Sequence, residues 1–160
     1  MTQKLFSLSR MYPLYSFFVA VVVAQVLKPF FGMLKGKGFR PLEMLSAGGF
    51  PSSHSAGVSS LCLATGLVEK FDSTLFAVTL AFSIIVIYDA THVRYYAGKN
   101  IELTKAIVND LKEETNLTLD NPIYNEKLKE VLGHRWSEAT AGIILGCVVA
   151  VILFSFVTRG

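Results

Sequence analysis

Residues 139–158 read ATAGIILGCVVAVILFSFVT, with no Asp, Glu, Lys or Arg side chain among them. A stretch of this length can cross the hydrocarbon core of a bilayer as a helix. Three other stretches, 11–27, 44–68 and 73–88, also lack these charged residues, so the charges are concentrated between the apolar runs. This arrangement predicts an all-α, integral-membrane helical bundle with about four transmembrane helices.

The composition excludes several other classes of protein. Of the 160 residues, 52% are apolar and 17% are charged, and the mean hydropathy is +0.48. The apolar fraction is higher than that of a soluble domain with average amino-acid composition. Disorder and a coiled coil are excluded too, since the apolar content is high and no sustained heptad pattern occurs. A net charge of +3 without a basic cluster argues against a nucleic-acid partner.

Local signals set the boundaries of the expected spans. The first apolar run has no persuasive cleavage site after it, so we expect a retained helix rather than a signal peptide. The second span is expected over 53–68, because Pro51 stands where a helix can begin. The third is short and is expected to continue towards Arg94. In the fourth, Gly142 and Gly146 are four residues apart and predict close packing against another helix.

One long polar interval, at about 99–132, separates the third and fourth spans. Ile101 and Val108 lie near one helical face, which predicts an amphipathic helix, and a second such helix is expected to end at Gly133. We therefore predict a helical insertion that rests on the bundle or on the membrane surface. The whole chain, 1–160, is expected to form a single membrane-embedded domain.

The basic residues are distributed unevenly between the two sides. Eleven of the 15 Lys and Arg residues lie in or beside the first and third connections, and four lie at the termini or in the second connection. This bias predicts that the first and third connections face the cytoplasm across the cell (inner) membrane. The bilayer is thus the expected partner, and the sequence leaves open whether the protein forms a homo-oligomer.

Residues 48–55 read GGFPSSHS and form the first candidate functional stretch. The glycines permit a tight loop and Pro51 begins a helix. The following backbone N–H groups, with the hydroxyls of Ser52 and Ser53, make a helix N-terminus that favours phosphate. His54 is expected at its rim. The alternative interpretation is a capped helix with an incidental histidine, since serine is an ordinary capping residue.

The second candidate stretch contains His134 and Glu138. Their spacing of four residues places imidazole and carboxylate on one side of a helix, within hydrogen-bonding reach. A carboxylate on one ring nitrogen fixes the tautomer and leaves the other nitrogen available as a nucleophile. The alternative is a structural His–Glu pair at a helix start.

Three basic residues near span ends are candidates for anion binding: Lys28, Arg40 and Arg94. With four alternating spans, these side chains and the two histidines fall on the same side of the membrane. Ionisable groups near span ends are functional candidates, although lysine and arginine also serve as interfacial anchors. Their convergence with two histidines favours an anion site.

Together, these stretches resemble the type-two phosphatidic acid phosphatase and vanadium haloperoxidase superfamily. Pro51-Ser52-Ser53-His54 resembles its second signature, and Gly133-His134 through Glu138 to Gly142 resembles the end of its third. The wider pattern is similar to the divergent branch of that superfamily, and it consists of Ala24-Gln25 with Lys28, GGFPSSHS at 48–55, Tyr88-Asp89-Ala90, Val93-Arg94, Ala97-Gly98 and Leu132-Gly133-His134.

The resemblance implies a metal-independent phosphatase that needs no cofactor. By this resemblance His134 attacks phosphorus and forms a phosphohistidine, Glu138 orients it, and His54 protonates the leaving oxygen and later activates water. The phosphoryl oxygens would be held by Lys28, Arg40, Ser52, Ser53 and Arg94. Asp89 is a possible support for Arg94 by charge-assisted hydrogen bonding.

The sequence departs from the superfamily pattern in several places. Thirty-nine residues separate Arg94 from His134, so folding must bring them together. Lys35 and Lys37 compete with Lys28 for the role of phosphate-binding lysine. Glu138 stands where Asp is usual and Ser53 where Gly is usual. We expect His92 to be a loop residue without a role.

The expected function is a lipid phosphatase that acts on a phosphomonoester headgroup, with phosphatidylglycerophosphate as the leading substrate by resemblance. The alternatives are an isoprenyl diphosphate or phosphatidic acid phosphatase. A third is a non-catalytic membrane protein that keeps the pocket for phosphate or phospholipid.

Overall fold

A computed structural model describes residues 2–34, 36, 38–46, 48–115 and 133–158 of the chain. Within these residues the structure is helical and contains no strand. The elements in chain order are α1 (Thr2–Leu34), a short 3₁₀ helix (Pro41–Leu45), α2 (Ser53–Glu69), α3 (Thr74–Tyr88), a π-helical turn (Asp89–Val93), α4 (Arg94–Thr115) and α5 (Trp136–Val157). The predicted all-α fold is confirmed.

Among the described residues, three helical segments are long and apolar enough to cross a bilayer: Met11–Leu34, Thr74–Leu111 and Trp136–Val157. Their outward surfaces carry large apolar side chains that are more than half exposed, such as Val22 and Ile144. Exposed apolar surface of this extent suits contact with lipid chains rather than water. The protein is therefore a helical membrane protein, as the sequence predicts.

The second predicted span, 53–68, is α2, which is the central helix of the bundle. It packs against α1, α3 and α5, and 11 of its 17 residues are buried, most of them Ser, Ala or Gly. A helix of this length is about 26 Å long, slightly less than the hydrocarbon thickness. The sequence predicts four spans. In the part of the chain that the structure describes, three segments have the length and composition of a span, and the remaining predicted span is α2, which is shorter and packs between its neighbours.

Small residues and buried hydroxyls join the helices. The Tyr12 hydroxyl of α1 donates to the carbonyl oxygen of Ala150 in α5 at 2.5 Å, and the hydroxyls of Ser16 and Ser60 are 2.6 Å apart. Each contact gives a polar group an internal partner, which an apolar environment requires.

The glycine pair of α5 lies directly against α2. A Cβ atom at Gly142 would collide with the carbonyl oxygen of Ser52, and one at Gly146 would collide with that of Ala56. The two helix backbones therefore approach closely along this stripe, as the four-residue spacing predicts. The contact fixes the start of α5 against the start of α2.

The third span continues into α4 without a loop. The π-helical turn Asp89–Val93 joins α3 to α4, and the Thr91 hydroxyl donates to the carbonyl oxygen of Ile87 at 2.8 Å. The expected extension towards Arg94 is thus confirmed, whereas the expectation that His92 lies in a loop is wrong. The first predicted helix of the 99–132 insertion lies in α4, and the second lies outside the described residues.

Candidate active site

His134 is fixed at the point where the chain returns to the bundle before α5. Its backbone N–H donates to the carbonyl oxygen of Ala90 at 2.9 Å, and its side chain is 2% exposed. Gly133 passes so close to Tyr95 that a Cβ would collide with the Tyr95 backbone. The backbone of this segment therefore lies against the π-helical turn and the first turn of α4, which brings His134 towards Arg94 across 39 residues of sequence.

The imidazole of His134 is paired with Glu138. Nδ1 of the ring lies 3.1 Å from Oε2 of Glu138, and the same oxygen accepts a bond from the Arg135 backbone N–H at 3.2 Å. An ionised carboxylate only accepts hydrogen bonds, so the ring carries its proton on Nδ1. Nε2 is then the nitrogen with the lone pair, and it is buried without a hydrogen-bond partner among the described residues.

The N-terminus of α2 is tied to the first turn of α5. The Ser52 backbone N–H donates to the carbonyl oxygen of Glu138 at 3.0 Å. The Ser52 hydroxyl caps α2 by accepting from the Ser55 backbone N–H at 3.3 Å and from the Ser55 hydroxyl at 3.1 Å. Ser53 is buried beside it. Ser52 is thus the N-cap of α2, the role that the alternative interpretation assigns to serine, and the positive end of α2 lies beside the His134 segment.

The two histidines come together, as the sequence predicts. The ring centroids of His54 and His134 are 6.0 Å apart, with the ring planes inclined at 60°. His134 is buried, whereas His54 is exposed at the first turn of α2. One imidazole is therefore held in place and the other is able to reach a group that arrives from outside.

Two of the three predicted cations lie close enough to act on this pair. Lys28 is 2% exposed, and its Nζ donates to the carbonyl oxygen of Ser46 at 2.7 Å. Its charge acts on both Glu138 and His54. Arg94 pairs through Nε with Oδ2 of Asp89 at 2.5 Å, and the charges of both residues act on His54.

Arg40 is placed differently. Its side chain is exposed at the start of the 3₁₀ helix and has no hydrogen bond or ion pair with the part of the chain that the structure describes, although its backbone carbonyl oxygen accepts from the Glu43 N–H at 3.0 Å. It is also not among the charges that act on His54. Lys35 and Lys37, the other candidates for the lysine role, lie outside the described residues. The phosphate-binding role of Arg40 stays a prediction.

Sequence reasoning missed an aromatic group beside His134. The His92 ring stacks on Tyr88 with centroids 4.4 Å apart, and it meets the Trp136 ring edge-on at 5.5 Å. Tyr88, His92 and Tyr96 are spaced four residues apart, a spacing that places them on one helical face once the helix is known to continue through the π-helical turn. That continuity was the signal needed to place His92.

Metal-ligating side chains do not cluster in the described ranges: no group of three His, Cys, Asp or Glu residues there could hold an ion. The polar groups of the candidate site are two imidazoles, two cations and two carboxylates, of which Glu138 is paired with His134 and Asp89 with Arg94. An arrangement of this kind suits a phosphoryl group, whose negative charge is complementary to the cations.

Residues 10–149 match the model of a family described as "Divergent PAP2 family". The chain belongs to this family. The predicted resemblance is therefore confirmed, and the match includes every candidate residue from Lys28 to Glu138. The chain is also 35% identical over 150 residues to "Uncharacterized membrane protein YuiD" of Bacillus subtilis (strain 168), an alignment that covers 91% of this chain and 95% of the relative. No solved structure matches the chain. Membership in the Divergent PAP2 family makes the protein a PAP2-related membrane protein.

Proposed function

We propose that this protein is an integral-membrane, metal-independent lipid phosphatase that hydrolyses a phosphomonoester headgroup through a phosphohistidine intermediate. The observation that carries the proposal is the His134–Glu138 pair, which leaves Nε2 of a buried imidazole without a partner among the described residues, next to His54. The Divergent PAP2 family supports the reaction class, since PAP2-like proteins are usually phosphatases.

In the first step, the lone pair of His134 Nε2 attacks phosphorus, and the bond between phosphorus and the leaving oxygen breaks. Glu138 stabilises the positive charge that develops on the ring through its bond with Nδ1–H. His54, as the imidazolium ion, donates its proton to the leaving oxygen. The lipid leaves as an alcohol, and the phosphoryl group is bonded to His134.

In the second step, water hydrolyses the phosphohistidine. Neutral His54 accepts a proton from water, the oxygen attacks phosphorus, and the phosphorus–nitrogen bond breaks. Inorganic phosphate leaves, the lone pair returns to Nε2 of His134, and His54 is again the imidazolium ion. The cycle restores both residues without a further reactant.

The phosphoryl oxygens need positive groups around them. Phosphoryl transfer depends mainly on positioning and charge stabilisation, and Lys28, Arg94 and the N–H groups at the start of α2 supply both. Ser52, Ser53 and Arg40 complete the proposed phosphate-binding set. Asp89 supports Arg94 through their ion pair, which holds the guanidinium on the side of His54.

Access to the nucleophile requires a local movement. Nε2 of His134 is buried, whereas the side chains of His54 and Arg94 are exposed. We propose that these two side chains rotate outwards to open a path to Nε2. When they rotate back, their positive charges lie beside the bound phosphate. The same residues then both admit the substrate and stabilise the transferred group.

Phosphatidylglycerophosphate is the proposed substrate, and the proposed site faces the cytoplasm of the cell membrane. The connections rich in Lys and Arg flank the helix ends that carry the site, so the positive-inside bias supports a cytoplasmic position for the connections and for the site.

The test of the substrate is phosphate release in detergent from short-chain phosphatidylglycerophosphate, phosphatidic acid and isoprenyl diphosphate. We expect the highest kcat/KM with the first lipid. A preference for another lipid would correct the substrate, and no release above a protein-free blank would contradict the enzymatic proposal.

The two roles of His54 give a prediction that separates the steps. The leaving group of 4-nitrophenyl phosphate needs no proton, so His54→Ala should still form the phosphohistidine but hydrolyse it slowly. We expect a rapid burst of about one equivalent of nitrophenol, then turnover reduced about 10²- to 10⁴-fold. With a lipid substrate, both phases should be slow. The measurement is stopped-flow absorbance with 4-nitrophenyl phosphate; an unchanged steady-state rate would show that His54 is not the base that activates water.

A further inference from the structure

A cavity of about 200 Å³ lies next to His134, on the side of the π-helical turn and the first turn of α5. It is partly open to the outside. Apart from His134, its lining consists of Thr91, His92, Tyr95, Tyr96, Arg135 and Trp136. The buried Nε2 of His134 is a polar atom without a partner in the described part of the chain. The cavity thus adjoins the proposed nucleophile. The phosphate-binding residues proposed above do not include the aromatic side chains that line the cavity, so these have no function assigned.

The lining determines the chemistry of a ligand. It combines flat aromatic faces with hydroxyl, imidazole, indole and guanidinium groups, and its charged member is the cation Arg135, with no carboxylate among the lining residues. Arg94, which directly precedes the lining residue Tyr95 in α4, adds a second cation next to the cavity and is paired with Asp89. A quaternary ammonium would suit the aromatic rings but would be repelled by these cations. A neutral, hydroxylated group suits both the aromatic rings and the polar groups of the lining. Its hydroxyls can form hydrogen bonds with the polar groups, and its carbon atoms can pack on the rings.

We infer that this cavity binds the hydroxylated group that carries the scissile phosphate, and that His92, Tyr96 and Trp136 determine which phosphomonoester is accepted. The inference rests on the proposed function, because it places the leaving group beside the attacked phosphorus. A polyol phosphate fills the cavity with its carbon chain and hydroxyls. A phosphate attached directly to diacylglycerol brings ester groups and acyl chains instead, which the cavity does not match.

Trp136 and Tyr96 are well suited to a test because both are exposed, at 58% and 61%, so their replacement leaves the buried core intact. The experiment compares kcat/KM for short-chain phosphatidylglycerophosphate and phosphatidic acid. In Trp136→Ala we expect the ratio of the two values to fall about three- to tenfold, the effect of losing one neutral polar contact and its packing. Phosphatidic acid hydrolysis should change less than the other reaction.

The matched control is Phe156→Ala, which removes an exposed aromatic ring at the other end of α5, 71% exposed. Its ratio should equal that of the native protein. An equal fold-loss of both activities in Trp136→Ala would mean that the ring only supports the fold, and two unchanged activities would mean that the cavity does not contact the leaving group. Either result would overturn the inference while leaving the proposed function in place.

A binding measurement separates the inference from catalysis. Trp136 is the single tryptophan of the chain, so its emission reports directly on the cavity. In His134→Gln we expect glycerol 3-phosphate to shift that emission more than inorganic phosphate does, and Tyr96→Ala should weaken the response. If native protein hydrolyses no lipid but this difference is seen, the proposed function fails and the cavity assignment stands. Equal responses to both anions would overturn the assignment.

Discussion

Replacement of His134 by Gln is expected to reduce phosphate release from the preferred lipid by at least about 10⁴-fold, the usual cost of losing a covalent nucleophile. Gln keeps a polar side chain beside Glu138, and the backbone bond to Ala90 is independent of the side chain. What it lacks is a ring nitrogen with a lone pair that can bond to phosphorus. The measurement is the steady-state rate in detergent.

The control for this variant is Thr140→Ala, one turn further along α5. Thr140 is exposed, and its hydroxyl donates only to the carbonyl oxygen of Trp136 at 2.9 Å, a bond internal to the helix. We expect its rate to remain within about twofold of native, because exposed substitutions of this kind are nearly neutral. If His134→Gln elutes as the native protein does and still turns over, the nucleophile is another residue.

Replacement of Gly146 by Leu should disrupt the contact between α5 and α2. A Cβ at this position would collide with the carbonyl oxygen of Ala56 and would also lie 3.0 Å from the Ser60 backbone nitrogen. These neighbours are backbone atoms of a central helix, so they cannot move aside as a flexible side chain can. We expect a loss of more than about 3 kcal/mol of stability, at the upper end of the cost of overpacking.

The measurement for Gly146→Leu is the thermal unfolding midpoint in detergent, together with the fraction of protein that elutes as a single species. Ala81→Leu is the control, because Ala81 is exposed on α3 and the larger side chain meets lipid or detergent. Its midpoint should stay close to native. A normal midpoint for Gly146→Leu would show that α2 and α5 do not pack through their backbones.

Much of the fold follows from the sequence because lipid imposes a simple requirement. A charge-free run of sufficient length must form a helix, since no water is available for its backbone groups. The runs that begin at residues 53, 73 and 139 therefore predict α2, α3 and α5 within a few residues. Alternation of these helices also explains why His54 and His134 were expected to meet, and their rings are 6.0 Å apart.

The features that were not predicted depend on irregular backbone and on close packing. The third span is predicted to continue towards Arg94, but its π-helical turn at Asp89–Val93 is not predicted, because no spacing rule indicates a local change of helix type. His92, which lies in this turn, is predicted in a loop instead, and its aromatic partners were missed. Likewise, no spacing rule could show that Gly133 lies against Tyr95, the contact that brings Arg94 and His134 together.

The length of α2 is a second point that composition could not settle. Its residues are apolar or small, so the sequence favours a full span, but the helix is only 17 residues long and is enclosed by its neighbours. Its buried face of Ser, Ala and Gly is explained by close helix contacts rather than by lipid. Because this central helix is short, its N-terminus, with Ser52 and His54, lies inside the bundle, at the end where the proposed phosphate site is located.

The most direct test of the account locates the phosphoryl group on the protein. His54→Ala is mixed with 4-nitrophenyl phosphate, quenched during the burst under alkaline conditions that preserve phosphohistidine, digested, and analysed by tandem mass spectrometry. We expect a single phosphorylated site at His134, formed in about the same amount as the nitrophenol burst. Phosphate on another residue, or continued turnover with His134 unmodified at every time point, would contradict it.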